Sequence, residues 1–140
     1  GALMAPRRED ATPCPFCKPD PESVLAEGEL AIAIRDAHPA SPGHALLVPR
    51  RHVASWFEAT EAERVEMLRL ADELRRRLDA ERAPDGYNLG VNVGAAAGQT
   101  VPHLHLHLIP RYAGDVRDPT GGVRLAIPER GNYLCRGSRS

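Results

Sequence analysis

The chain has 140 residues, enough for one compact domain and too few for a two-domain enzyme, and its 42% hydrophobic and 26% charged residues exclude disordered and collagen-like classes. Lys and Arg total 18 against 19 Asp and Glu, a net charge of −1, so the chain lacks the basic field of a broad nucleic-acid surface. No apolar run approaches the ~20 residues of a membrane span, and the N-terminal residues carry no signal-peptide apolar stretch, which predicts a cytoplasmic protein with no membrane partner.

Residues 1–12 read as a flexible leader or cloning remnant, 13–128 as the folded domain and 129–140 as a polar C-terminal tail. From Pro13 the run Pro-Cys-Pro-Phe-Cys-Lys-Pro-Asp-Pro holds too many prolines for a helix or a central strand, so Cys14 and Cys17 are expected on a stiff loop. An odd cysteine count with one C-x-x-C pair fits a reducing compartment better than a disulfide scaffold, and Cys135 reads as a bystander. Leu30, Ile32 and Ile34 alternate with small or polar neighbours, and Ala45-Leu46-Leu47-Val48 is a short apolar run; both predict strands.

Thr60-Glu61-Ala62-Glu63 matches a helix capping box, and Met67, Leu70, Ala71, Leu74 and Leu78 recur at helical spacing to about Asp79, before Pro84-Asp85-Gly86 ends the run. Arg75, Arg76 and Arg77 are assigned to its solvated face, and Trp56 and Phe57 to core or interface anchoring. Two more strands follow, one through Tyr87, Leu89, Val91 and Val93, the other through Leu104, Leu106 and Leu108. The order predicts an α+β fold with a mainly antiparallel sheet and one long helix.

The chemistry concentrates in His103-Leu104-His105-Leu106-His107-Leu108-Ile109. Side chains alternate across a strand, so the leucines enter a core while three imidazoles share the other face, where their donors and acceptors need partners that packing does not supply. Such a face suits either a catalytic zinc with an open position or a nucleophilic histidine. The preceding Gly98-Gln99-Thr100 offers backbone N–H groups, an amide and a hydroxyl for an anion, and no nearby carboxylate stands as the base of a zinc hydrolase, which favours attack on phosphorus.

These histidines, with Gly98-Gln99-Thr100-Val101 before them, Pro110-Arg111-Tyr112-Ala113-Gly114-Asp115 after them and Pro42-Gly43-His44-Ala45-Leu46-Leu47-Val48-Pro49 upstream, resemble the histidine triad (HIT) superfamily. The resemblance implies a HIT-like fold and a nucleotide substrate cleaved at the α-phosphate. It makes His105 the nucleophile of a nucleotidyl-histidine intermediate, assisted by His107 and His44. Gln99, Thr100, Asn92 and the Gly98 turn would hold phosphate oxygens or the leaving-group side, and Asp36 the ribose. It also implies a structural zinc on Cys14, Cys17, His52 and His103, a divalent cation carried by a polyphosphate substrate, and a homodimer. The Arg111 to Asp115 segment resembles the fragile-histidine-triad branch, which cleaves dinucleoside polyphosphates such as diadenosine tri- or tetraphosphate and releases AMP. A phosphoramidase, a polyphosphate phosphorylase and a non-catalytic nucleotide-binding regulator are the alternatives.

Overall fold

The computed structural model describes residues 14–135; the expected leader over 1–12 and residues 136–140 of the expected tail lie outside the described residues. Five strands, β1 (Val24–Glu27), β2 (Ala31–Arg35), β3 (Ala45–Pro49), β4 (Gly86–Val91) and β5 (Leu106–Arg111), form one sheet in the order β1-β2-β3-β5-β4, and all neighbours are antiparallel. One long helix, α1 (Glu61–Arg82), crosses the sheet, which matches the expected α+β class.

β2 starts at Ala31 rather than Leu30 and β4 ends at Val91 rather than Val93, and three further differences from the sequence reading each have a local reason. β1 was not expected: it is a short edge strand with a register shift between Val24 and Ala26, so it carries no clean alternation. α1 runs three residues past Asp79, because nothing before Pro84 interrupts its hydrogen bonds, and it stops where Ala83 turns left-handed at φ 46°. The triad strand begins at Leu106 rather than Leu104, because the Leu104 N–H donates to the Val53 carbonyl at 2.7 Å and not to a neighbouring strand.

The alternation within β2, β3 and β5 divides the sheet into two faces. Ala31, Ala33, Ala45, Leu47, Leu106 and Leu108 meet Met67, Leu70, Ala71, Leu74 and Leu78 of α1 in the main core, and the three alanines let the helix lie close. Trp56 packs against this core while Phe57 is exposed. The opposite face carries a smaller cluster of Ile32, Ile34, Leu46 and Val48, partly covered by Phe16 and Val24.

The helix start is wired to the loop after β3. The Thr60 hydroxyl accepts the Glu63 N–H at 3.0 Å and the Glu63 carboxylate accepts the Thr60 N–H at 2.8 Å, completing the expected capping box. The same buried carboxylate takes a two-pronged contact from Arg51, at 2.9 Å on each arm, which fastens the segment leading to His52 onto the helix. One turn on, Glu66 accepts the N–H groups of Leu30 and Ala31 at 2.6 and 2.8 Å and closes the β1–β2 turn from below. Gly28 is required there, since a Cβ would overlap that carboxylate.

Removing the Glu66 carboxylate orphans two backbone donors. Glu66→Ala is therefore expected to lower unfolding stability by about 1–3 kcal/mol, read as a reduced denaturation midpoint at unchanged slope.

Candidate functional site

Cross-strand pairing places Ile34, Leu46, His107 and Gly90 in one row across the face opposite α1. His107 is thus the imidazole carried by the regular strand, paired with Gly90 of β4. His103 and His105 precede the strand. His105 still shares the face of His107, with ring centroids 5.0 Å apart, whereas the ring of His103 is fully buried and serves a different group of residues.

Hydrogen bonds fix which nitrogen of each ring carries a proton. His44 Nδ1 accepts the Ala40 N–H at 2.9 Å, so the neutral ring bears its proton on Nε2, which faces His107 Nδ1 at 3.0 Å and Asp36 at 3.4 Å. His107 Nδ1 is then an acceptor and its Nε2 a donor. His105 Nδ1 donates to the His103 carbonyl at 2.8 Å, leaving Nε2 with its lone pair. His103 Nε2 donates to the Pro49 carbonyl at 2.9 Å, so its Nδ1 lone pair turns the other way.

That lone pair meets the cysteine loop. His103 Nδ1 lies 3.1 Å from His52 Nδ1, 3.4 Å from Cys14 Sγ and 3.6 Å from Cys17 Sγ, and Cys17 Sγ lies 3.2 Å from His52 Nδ1. All four ligand atoms fall within 4.8 Å of one another. Tetrahedral ligands about 2.0–2.3 Å from a zinc ion stand about 3.3–3.8 Å apart, and these separations lie within or a few tenths of an ångström below that range, close to a closed Cys2His2 metal centre. Asp36, His44 and His107 are a second group within 4.8 Å of one another. There the Ala40 N–H leaves His44 Nε2 protonated, which makes that group a hydrogen-bonded relay instead of a ligand set.

Two clefts adjoin the imidazoles. One, of about 800 Å³, is lined by Phe16, Ile34, Asp36, Leu46, His105 and His107 among others. The second, of about 900 Å³, lies between β4 and the 3-10 turn Gly122–Ala126, with Leu89, Val123 and Ile127 in its walls. His107, Asn92 and Gly98 line both. Thr100 lines the first, and Asp36, while holding the His38 N–H at 2.7 Å, remains on its wall.

The loop before the triad differs from the expected anion nest. The Gly98 and Gln99 N–H groups turn inward to the carbonyls of Ala95 and Gly94, at 2.9 and 3.1 Å. The Gln99 side chain accepts the Gly94 N–H at 2.9 Å and donates to the carbonyls of Ala54 and Val101 at 2.8 and 3.1 Å, so it braces the loop instead of reaching into a cleft. Arg111 likewise spends its guanidinium on Asp115, twice at 2.8 Å, and on Asn88 at 2.6 Å. Sequence reasoning passed over Phe16, whose ring meets both His103 and His105 edge-on; its place between the two cysteines was the available signal.

Burial favours the neutral form of the two histidines of the relay. His107 is pushed down to about 4 by burial and by the neighbouring His105 and His44, against the pull of Asp36. His44 is lowered by burial as well, again opposed by Asp36. Between pH 6.5 and about 4 the unfolded chain binds a proton that folded His107 refuses, so stability falls as pH drops through that window and levels off below it. His107→Asn is expected to flatten that part of the profile, measured as thermal midpoint against pH.

A family model described as the HIT domain matches residues 18–114. An AP-4-A phosphorylase of Mycobacterium tuberculosis is 35% identical over 109 residues, covering 76% of this chain and 55% of its own. A bifunctional bis(5'-adenosyl)-triphosphatase/adenylylsulfatase of Arabidopsis thaliana is 34% identical over 98 residues, covering 70% of this chain and 54% of its own. The chain thus spans about half the length of these two curated relatives. The crystal structure of a Zn-bound histidine triad family protein from Mycobacterium smegmatis superposes with a TM-score of 0.66 at 32% identity, covering 76% of this chain and 83% of that one. With a family model matched over most of the chain and the alternating histidines set on and before one strand of this sheet, the chain belongs to the HIT domain family.

Proposed function

We propose that the protein is a nucleotide hydrolase that cleaves at an α-phosphate through a nucleotidyl-histidine intermediate on His105, with dinucleoside polyphosphates as substrates and AMP as the product from diadenosine tri- or tetraphosphate. The observation that carries this reading is the His105 ring itself, whose Nδ1–H is held by a backbone carbonyl so that Nε2 keeps a lone pair beside a cleft of nucleotide size. The activities named for the two relatives, a phosphorylase and a triphosphatase acting on adenosine nucleotides, support the substrate class.

In the first step Nε2 of His105 forms a bond to the α-phosphorus and the bond to the leaving group breaks. The nucleoside lies in the first cleft, its ribose toward Asp36, and the leaving half in the second. His107 donates its Nε2–H to a phosphate or leaving-group oxygen, and the His44 Nε2–H keeps His107 in that tautomer. Asn92 and Thr100, with the Gly98 turn between them, supply polar contacts at the junction, where a divalent cation travelling with the polyphosphate would also sit. Gln99 acts through the loop it braces. Water then attacks the phosphorus and frees the monophosphate while His105 regains its lone pair; inorganic phosphate in place of water gives the phosphorylase outcome. Dividing one hard displacement into two easier ones is the gain from the covalent intermediate.

Cys14, Cys17, His52 and His103 would hold a structural zinc, which clamps the N-terminal loop to the sheet; the zinc-bound relative supports that choice of metal. A homodimer is the proposed assembly, supported by the outer edge of β4, which pairs with no strand among the described residues, and by Val65 and Leu68 exposed on α1.

His105→Asn is expected to cut AMP release from diadenosine tri- or tetraphosphate by at least about 10³-fold while nucleotide binding persists. Wild-type protein that binds nucleotides yet releases no monophosphate from these compounds or from an adenosine phosphoramidate would leave the regulatory reading in place. For the metal, protein purified without chelator is expected to carry one equivalent of zinc and the Cys14→Ser, Cys17→Ser double variant close to none. A double variant that keeps its zinc removes the four-ligand assignment.

A further inference from the structure

Three contacts fix the His105 ring. Its Nδ1–H donates to the His103 carbonyl at 2.8 Å; the His107 ring lies at a centroid distance of 5.0 Å and 70°; and the Phe16 ring meets it edge-on at 5.0 Å and 62°. Two of the three originate in the Cys2His2 cluster. His103 is one of its members, and Phe16 sits between Cys14 and Cys17, with its ring also edge-on to His103 at 5.8 Å and 89°. Phe16 packs on Ile32, Ile34, Leu46 and Val48 as well, so the same ring walls the first cleft.

The loop that carries it is tied down from outside. Its own backbone supplies the Lys18 N–H to Cys14 carbonyl bond at 3.3 Å, and among the described residues it is held by the two sulfurs, at His103 and His52, and by the Phe16 ring on the sheet. Releasing the sulfurs would leave the ring that bears on His105 held by its own packing alone, without the anchor on either side of it.

We propose that Phe16 is a positioning residue for His105, and that metal occupancy of the Cys14, Cys17, His52 and His103 cluster sets where Phe16 stands. The inference rests on His105 being the nucleophile, as proposed above, for its kinetic consequence alone. An aromatic edge against an imidazole resists rotation of that ring about its side-chain torsions, and a displacement of about 1 Å at a nucleophile can cost about 10²-fold in rate. The cluster would then act on the reaction through packing, without touching substrate.

Imidazole ¹⁵N spectra of histidine-labelled wild type, Phe16→Ala and Phe16→Tyr, together with wild type treated with a chelator, test this directly. In metal-loaded wild type the His105 proton is expected on Nδ1 alone. In Phe16→Ala, which keeps all four ligands and is expected to bind one equivalent of metal, a second population with the proton on Nε2 is expected, as in an unrestrained neutral imidazole. The chelated protein is expected to show the same second population. In steady-state kinetics Phe16→Ala is expected to lose about tenfold to a hundredfold in kcat, whereas a residue serving only as a cleft wall would raise KM at constant kcat. Phe16→Tyr, which restores the ring, is expected to recover the wild-type spectrum and kcat. An unchanged His105 spectrum in Phe16→Ala, or a change confined to KM, overturns the proposal. If the wild type turns over no nucleotide, the functional reading fails by itself and the spectra still decide the role of Phe16. An unchanged His105 spectrum in chelated, folded protein overturns the part given to metal occupancy; if chelation unfolds the protein, the Cys14→Ser, Cys17→Ser double variant makes that comparison.

Discussion

Burial of Leu104, Leu106 and Leu108 against α1 is the constraint from which the site follows, since each is almost fully shielded from solvent and the latter two sit on strand β5 with period two. A slip of one residue would drive His107 into an aliphatic core and turn Leu106 and Leu108 out of it, at a cost of several kcal/mol. The leucines therefore lock the register, and the register delivers His107 to the row it shares with Ile34, Leu46 and Gly90. The site face depends on packing that takes place on the other side of the sheet.

Carbonyls and amides then differentiate three chemically identical side chains. The Pro49 carbonyl takes the Nε2 proton of His103 and turns its Nδ1 to the sulfurs; the His103 carbonyl takes the Nδ1 proton of His105; the Ala40 amide fixes His44, which fixes His107. One ring becomes a ligand candidate, one a lone-pair base and one a donor, and no side-chain substitution separates them. Burial reinforces the assignment by keeping His107 neutral down to about pH 4.

The cysteine loop and the helix start enclose this arrangement from two directions. Arg51 and Glu63 fasten the segment before His52 to α1, and the loop carrying Cys14, Phe16 and Cys17 closes over the other face. His52 and His103, far apart in sequence, are thereby held with their Nδ1 atoms 3.1 Å apart. The Cys2His2 cluster and the proposed nucleophile are joined at His103, whose ring belongs to the first and whose carbonyl holds the second.

Periodicity and motif chemistry made the α+β class, the capped helix, the imidazole-bearing strand and the C-x-x-C pair legible in the linear chain, because each is a local pattern with a local cause. β1 escaped because a bulged four-residue edge strand has no period to read. The role of Gln99 escaped because its amide can serve a phosphate or a loop equally well, and its choice of Ala54, Val101 and Gly94 depends on where distant segments lie. Phe16 escaped because its partner is remote in sequence and contact between them exists only after folding. The sequence by itself determined that the histidines would alternate with a buried stripe; the tertiary structure alone decided which nitrogen of each ring carries the proton, since that choice belongs to backbone groups at Ala40, Pro49 and His103 that no side-chain pattern encodes.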